Sequence, residues 1–222
     1  MIFKELKEFY LLNSNLSKAE FDSKIIKSKL KHYGVKTELL RKKAKELSLN
    51  DGFKHIPRNE SYESEFIIGV SMAYSKHSLK EKLDFYRAFF KSVDNWSIVD
   101  SVATSLKLKE KDYLCAIAFI KKNINKKDVF LSRFAYVLFL CNFVNELHLN
   151  DMFSLINEDK DYYILMAEAW LLSVSYIKFP SETFRFLETL NKKGSLIKLT
   201  IRKVLDSYRV SQKDKDLICK LR

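Results

Sequence analysis

Four glycines and two prolines are all that 222 residues offer, too few for the many tight turns of a β-sandwich or barrel, so helices joined by short polar loops are expected instead. Cysteine is equally scarce. Cys115, Cys141 and Cys219 are widely spaced, odd in number and lack a Cys-x-x-Cys pair, which excludes a disulfide framework and predicts buried thiols in a reducing compartment. His32, His55, His77 and His148 are scattered, with no pair at metal-ligand spacing, so neither a metal nor a metalloenzyme is expected. A Gly-rich phosphate loop and a Gly-x-Ser-x-Gly turn are both missing, which removes support for nucleotide hydrolysis and for acyl transfer. No run approaches the ~18 uninterrupted apolar residues of a membrane span. The opening Met1-Ile2-Phe3-Lys4-Glu5 reads as amphipathic helix rather than signal peptide, and a cytoplasmic, bacterial-type, nucleoid-associated protein is the expectation.

What the chain has in quantity is apolar surface and positive charge. Hydrophobic residues make up 47% of it and aromatics 14%, enough to exclude disorder. Forty Lys and Arg against 28 Asp and Glu give a formal charge of +12, which points to a polyanionic partner and to long-range steering toward it. The excess is no tail, because the first hundred residues hold 19 basic and 14 acidic side chains. An extended basic face is implied.

Apolar residues recur at helical spacing with polar breaks between them. They predict helices near 2–12, 18–32, 37–47, 62–76, 79–90, 94–106, 110–123, 128–144, 149–157, 161–178, 180–190, 194–206 and 211–220. Asp94 and Asp128 are placed to cap orphan amides, Ser78 stands before a helix, and Pro180 suits a first turn. The fold class is therefore all-α: a HEAT-like helical-repeat solenoid of stacked antiparallel helix pairs, a C-shaped α-α superhelix, with residues 1–222 as a single domain. Ser48 to Ser61, carrying Gly52 and Pro57, is the one long polar connection. The segment 161–178, apolar around nearly its whole circumference, should run through the centre of the stack with Trp170 on it.

Trp96 and Asp100 stand four apart in VDNWSIVDSVATSLK, so an indole and a carboxylate share one helix face and can meet one ligand. A carboxylate beside an aromatic wall stabilises developing positive charge, such as an oxocarbenium-like sugar. The plain alternative is a core Trp96 and a solvated Asp100. Arg133, inside FLSRFAYVLFL, suits either a phosphate gripped by two parallel hydrogen bonds or a structural ion pair. Basic clusters recur at helix ends: Lys36 with Arg41, Lys42, Lys43 and Lys45; Lys107, Lys109 and Lys111; Lys121, Lys122, Lys126 and Lys127; and Lys192, Lys193, Lys198, Arg202 and Lys203. Along one edge of a solenoid such ends would track a phosphate backbone.

Five segments carry a resemblance: HYGVKTELLRKKAKEL at 32–47, VDNWSIVDSVATSLK at 93–107, FLSRFAYVLFL at 130–140, YYILMAEAWLLSVSYIKFPSET at 162–183 and IRKVLDSYRVSQKDK at 201–215. Through them the chain resembles the HEAT-repeat DNA alkylation repair proteins, the AlkD-like DNA glycosylases. The resemblance implies a stack of helical pairs holding duplex DNA in a positive groove, and hydrolysis, without a cofactor, of the N-glycosidic bond of cationic N3- or N7-alkylated purines. By the same resemblance Asp100 matches the catalytic Asp, Trp96 and Trp170 the two Trp that frame the lesion's deoxyribose, and Arg133 the Arg on the backbone near it. Lys36, Arg41, Lys107, Lys109, Lys121, Lys122, Lys198, Arg202 and Arg209 are the expected DNA contacts of a monomer acting on alkylated or distorted duplex.

One departure bears on the clamp. Family members use a pair of helices before the GVKT-like segment to hold DNA, whereas about thirty residues precede Gly34 here, interrupted at Asn13-Ser14-Asn15, and a shortened N-terminal wall is expected. The alternative function is accordingly a non-catalytic HEAT-repeat binder of damaged, bent or branched DNA, and a third is a helical scaffold for proteins, which would show an exposed apolar groove instead of a basic one.

Overall fold

The computed structural model describes residues 2–124 and 127–221; Lys126, a member of one basic cluster, lies outside them. Among the described residues there is no strand, and thirteen α-helices follow one another: α1 Ile2–Leu12, α2 Leu16–Ile26, α3 Thr37–Leu47, α4 Tyr62–Tyr74, α5 Leu79–Phe89, α6 Trp96–Ser105, α7 Tyr113–Asn123, α8 Val129–Asn142, α9 Leu149–Ser154, α10 Tyr162–Lys178, α11 Pro180–Thr189, α12 Ser195–Asp206 and α13 Gln212–Ile218. Short polar side chains start them. Asn15, Ser61, Asn95, Asp128, Asp161 and Ser211 each accept a first-turn amide, a cap worth about 1 kcal/mol. Ser78 and Glu81 form a reciprocal capping box at α5, and Pro180 occupies the first turn of α11.

The chain divides into two compact units, Met1–Ala116 and Ile117–Arg222. In the first, α4 lies against α3, α5 and α6; in the second, α10 lies against α8, α11 and α12. Each unit is thus built round one helix with a neighbour packed along either side, α3 and α6 beside α4 and α8 and α12 beside α10, the packing of a helical repeat array. Composition explains the choice of centre. Every residue from Tyr62 to Ala73 is buried, and α10 buries nine of its seventeen residues, whereas α3, α5 and α12 carry a single apolar stripe and a charged outer face. Gly69 lets α4 approach closely, because a Cβ there would lie 2.8 Å from Val102 and 3.0 Å from Phe89.

Such buried centres carry glutamates, and each holds a loop. Glu63 Oε1 accepts the amides of Tyr33, Gly34 and Val35 at 3.0, 2.9 and 3.4 Å. Glu65 receives the Arg58 guanidinium and the Asn59 amide. Glu168 accepts the Tyr136 hydroxyl and the amides of Asn157 and Asp159; burial raises its pKa above the ordinary value against the pull of those donors.

Three expectations need correction. The second helix stops at Ile26 rather than near 32, because Lys27 turns left-handed and donates its amide to Ser23 O. The following extended stretch is held by distant carboxylates: Asp94 takes the Ser28 hydroxyl and the Lys29 amide, and Glu63 takes the amides of Tyr33, Gly34 and Val35. Asp94 therefore does not cap α6, a task performed by Asn95. The thiols are not buried, since Cys115 and Cys141 are exposed and Cys219 is intermediate; on α7 the inward positions are Ala116, Phe119, Ile120 and Asn123, which turns Cys115 outward.

Candidate functional site

Helix α6 begins with Asn95 accepting the Ile98 amide at 3.2 Å, which makes Trp96 its first residue. At about 100° per residue, Ile98, Val99, Val102, Ala103 and Ser105 fall on one side, and all are buried. Trp96, Ser97, Asp100, Ser101 and Thr104 fall on the other, where none is fully buried. The indole and the carboxylate thus share the arc that α4 does not cover. Two hydrogen bonds fix how α6 is rolled: Tyr62 OH meets Ser97 Oγ at 2.8 Å, and Arg41 Nη1 donates to Ser105 Oγ at 2.5 Å. Arg41 also donates to Tyr74 OH at 3.4 Å and lies over the Phe66 ring. It is therefore half-buried between helices rather than a free surface cation.

In the second unit, Arg133 sits on α8 with 6% of its surface exposed. Its Nη1 donates to Tyr163 O at 2.7 Å, so the guanidinium is seated on the first turn of α10. Tyr163, Met166, Trp170, Val174 and Ile177 form the half-buried stripe of that helix, and Trp170 lies two turns, about 10 Å, beyond Tyr163 along it. The structure thus pairs Trp96 with Asp100 within the first unit, and Arg133 with the helix of Trp170 within the second.

The remaining expected contacts are mostly exposed. Lys36 precedes α3, Lys107 and Lys109 follow α6, Lys121 and Lys122 end α7, Lys198 and Arg202 project from α12, and Arg209 lies in the turn after it. Lys121 is paired with Asp151 at 3.1 Å. Lys198 and Arg202, with Lys192, line a hollow of about 240 Å³ over Ile201 and Leu221. Among the described residues no helix is long and apolar enough to cross a membrane, and no group of His, Cys, Asp and Glu could hold a metal ion.

The sequence reading missed Lys82. Leu79, Lys82, Leu83 and Tyr86 recur at helical spacing and are all buried, so the lysine falls on the core stripe of α5. That pattern was the available signal.

Comparison with known proteins places a family on this geometry: the family model described as DNA alkylation repair enzyme matches residues 7–205, about nine tenths of the chain. No curated protein and no solved structure matches it.

Proposed function

Because this chain belongs to the DNA alkylation repair enzyme family, we propose that it is a DNA glycosylase that releases cationic N3- and N7-alkylated purines from duplex DNA by hydrolysing the N-glycosidic bond. DNA alkylation repair is its role and DNA its substrate; the bond cleaved and the lesion are the proposal. The observation that carries it is the arc of α6 on which Trp96 and Asp100 stand together, away from the core.

An alkylated purine is already a cationic leaving group, so little acid catalysis is needed. What the transition state lacks in the ground state is positive charge on the sugar, and a fixed carboxylate beside it lowers the barrier selectively. Asp100 has that role in this reading, with Trp96 and Trp170 as flat walls for the deoxyribose. Arg133, whose Nη1 is seated on Tyr163 O, is the residue that meets a backbone phosphate. Lys36, Arg41, Lys107, Lys109, Lys121, Lys122, Lys198, Arg202 and Arg209 supply attraction to the backbone. Residues 1–222 act as one HEAT-like domain and as a monomer inside the cell, without cofactor; the family match running across both compact units supports the single domain.

The test is base release from duplex DNA containing N7-methylguanine or N3-methyladenine. Wild type is expected to release the base and Asp100→Asn to do so about 10²-fold or more slowly, the cost of deleting one preorganised electrostatic group. Equal release by both removes the assignment, and tight binding of the lesion duplex with no release by wild type replaces it with a non-catalytic binder of damaged DNA.

A further inference from the structure

Within the first unit, Lys76, Lys82, Lys107, Lys109 and Lys111 line a hollow of about 420 Å³, together with Ser75, His77, Ser78, Leu79, Leu106 and Asp112. Lys76, Lys107, Lys109 and Lys111 make no ion pair among the described residues, in contrast to Lys43 and Lys54, which are paired with Glu46 and Asp51. The negative groups nearby are engaged elsewhere: Asp112 accepts the Lys109 amide, Glu81 caps Ser78, and Asp51 faces His77.

Lys82 gives this hollow a floor. Its side chain is 9% exposed, and its ammonium donates to Ala73 O at 2.9 Å. An ammonium carries three N–H groups, and among the described residues this one makes the single hydrogen bond to Ala73 O. Burial lowers its pKa below the usual lysine value, with Asp112 pulling the other way. A desolvated cation with donors to spare, ringed by four unpaired cations, is complementary to an anion that can reach inward.

We propose that this hollow is a binding site for a phosphate monoester, and that on DNA it takes the terminal phosphate at a nick or strand end. A backbone diester carries one charge and is flanked by sugars on both sides, so it meets rim lysines but cannot send oxygens to the floor. A terminal monoester carries a charge near −2 at neutral pH and three free oxygens, which matches both the surplus of lysines and the concave shape. The inference rests on the reading of DNA as substrate, and adds to it that broken strands are recognised apart from base lesions.

The test uses the full chain and undamaged duplexes with a single nick carrying either a 5′-phosphate or a 5′-hydroxyl, with fluorescence anisotropy as readout. Wild type is expected to prefer the phosphate by about tenfold, a size consistent with charge-assisted contacts to one extra anionic group. Lys82→Met, which keeps length and apolar packing, is expected to abolish the preference while leaving affinity for intact duplex unchanged; Lys76→Ala with Lys111→Ala should reduce it. Titration with inorganic phosphate alone is the second arm. Saturable phosphate binding that Lys82→Met weakens, without a strand-end preference, supports the site with free phosphate as its source. Absence of both effects, or a preference that survives in Lys82→Met, overturns the proposal. Failure of the glycosylase reading would appear instead as missing base release, which these measurements do not involve.

Discussion

The Glu63 carboxylate and the Gly34 amide meet at 2.9 Å, and that bond joins the buried centre of the first unit to the one left-handed glycine of the chain, at φ +75°. The geometry leaves no room for a side chain. A Cβ on Gly34 would stand 2.1 Å from Asn15 O and 2.7 Å from the Ala19 amide nitrogen, both backbone atoms at the start of α2. Gly34→Ala therefore has to move backbone as well as adopt a strained φ, and a loss of about 3 kcal/mol or more is expected. Denaturant unfolding measures it. Glu63→Gln, which keeps shape but weakens three charge-assisted bonds, should cost less, about 1–3 kcal/mol; a Gly34→Ala variant as stable as wild type would remove the account.

Stability should fall at alkaline pH. Burial raises the hydroxyl pKa of Tyr10, Tyr86 and Tyr136, and pushes Tyr62 and Tyr176 up to about 12. Unfolded tyrosines lose their protons near pH 10, so above that pH the folded state holds more protons than the unfolded one and stability declines as pH rises toward 12. Thermal melts at pH 8, 10 and 11 should show a steepening fall in Tm. In Tyr176→Phe, which loses its bond to Asp214 O, Tm at pH 8 should drop while the fall between pH 8 and 11 becomes shallower.

The alternation of polar caps and apolar stripes made the helices legible: α1 and α3 through α13 begin and end within a few residues of where the spacing puts them. Centrality was half legible. The all-round apolar α10 announced itself, but α4, more completely buried, is shorter and carries Glu63 and Glu65, whose amide and guanidinium partners lie elsewhere in the chain. The same blindness ended α2 in the wrong place, since Asp94 and Glu63 hold residues 28–35 from 28 and more positions away and no local pattern encodes that. Trp96 and Asp100 could be paired from their spacing alone. The anchoring of Arg133 on Tyr163 O could not, because a backbone carbonyl has no signature in sequence.

Arg133 should separate stability from activity. Its buried guanidinium satisfies Tyr163 O, and removing a buried charged donor costs about 1.5–3 kcal/mol. Arg133→Lys keeps a cation and a donor but loses the fork that holds two oxygens at once. The expected result is a Tm close to wild type with base release at least about tenfold slower at saturating DNA. Arg133→Met should lower both. Wild-type release by Arg133→Lys would confine this residue to packing.

Positive charge on α12 should act at long range only. Lys198 and Arg202 are exposed and unpaired among the described residues, so neither holds the fold together, and in the proposed DNA complex each is expected to neutralise one backbone phosphate. Replacing either by Ala is expected to leave Tm within about 1 °C, because surface positions without partners contribute little. It should also flatten the plot of log affinity against log salt by about 0.9, the release of one counterion. Arg41→Ala is the contrasting case, since its guanidinium also holds Ser105 and Tyr74: there both the salt slope and Tm should fall. Slopes that do not change in Lys198→Ala and Arg202→Ala would detach α12 from DNA, and an Arg41→Ala variant with unchanged Tm would show that the roll of α6 does not depend on this bond.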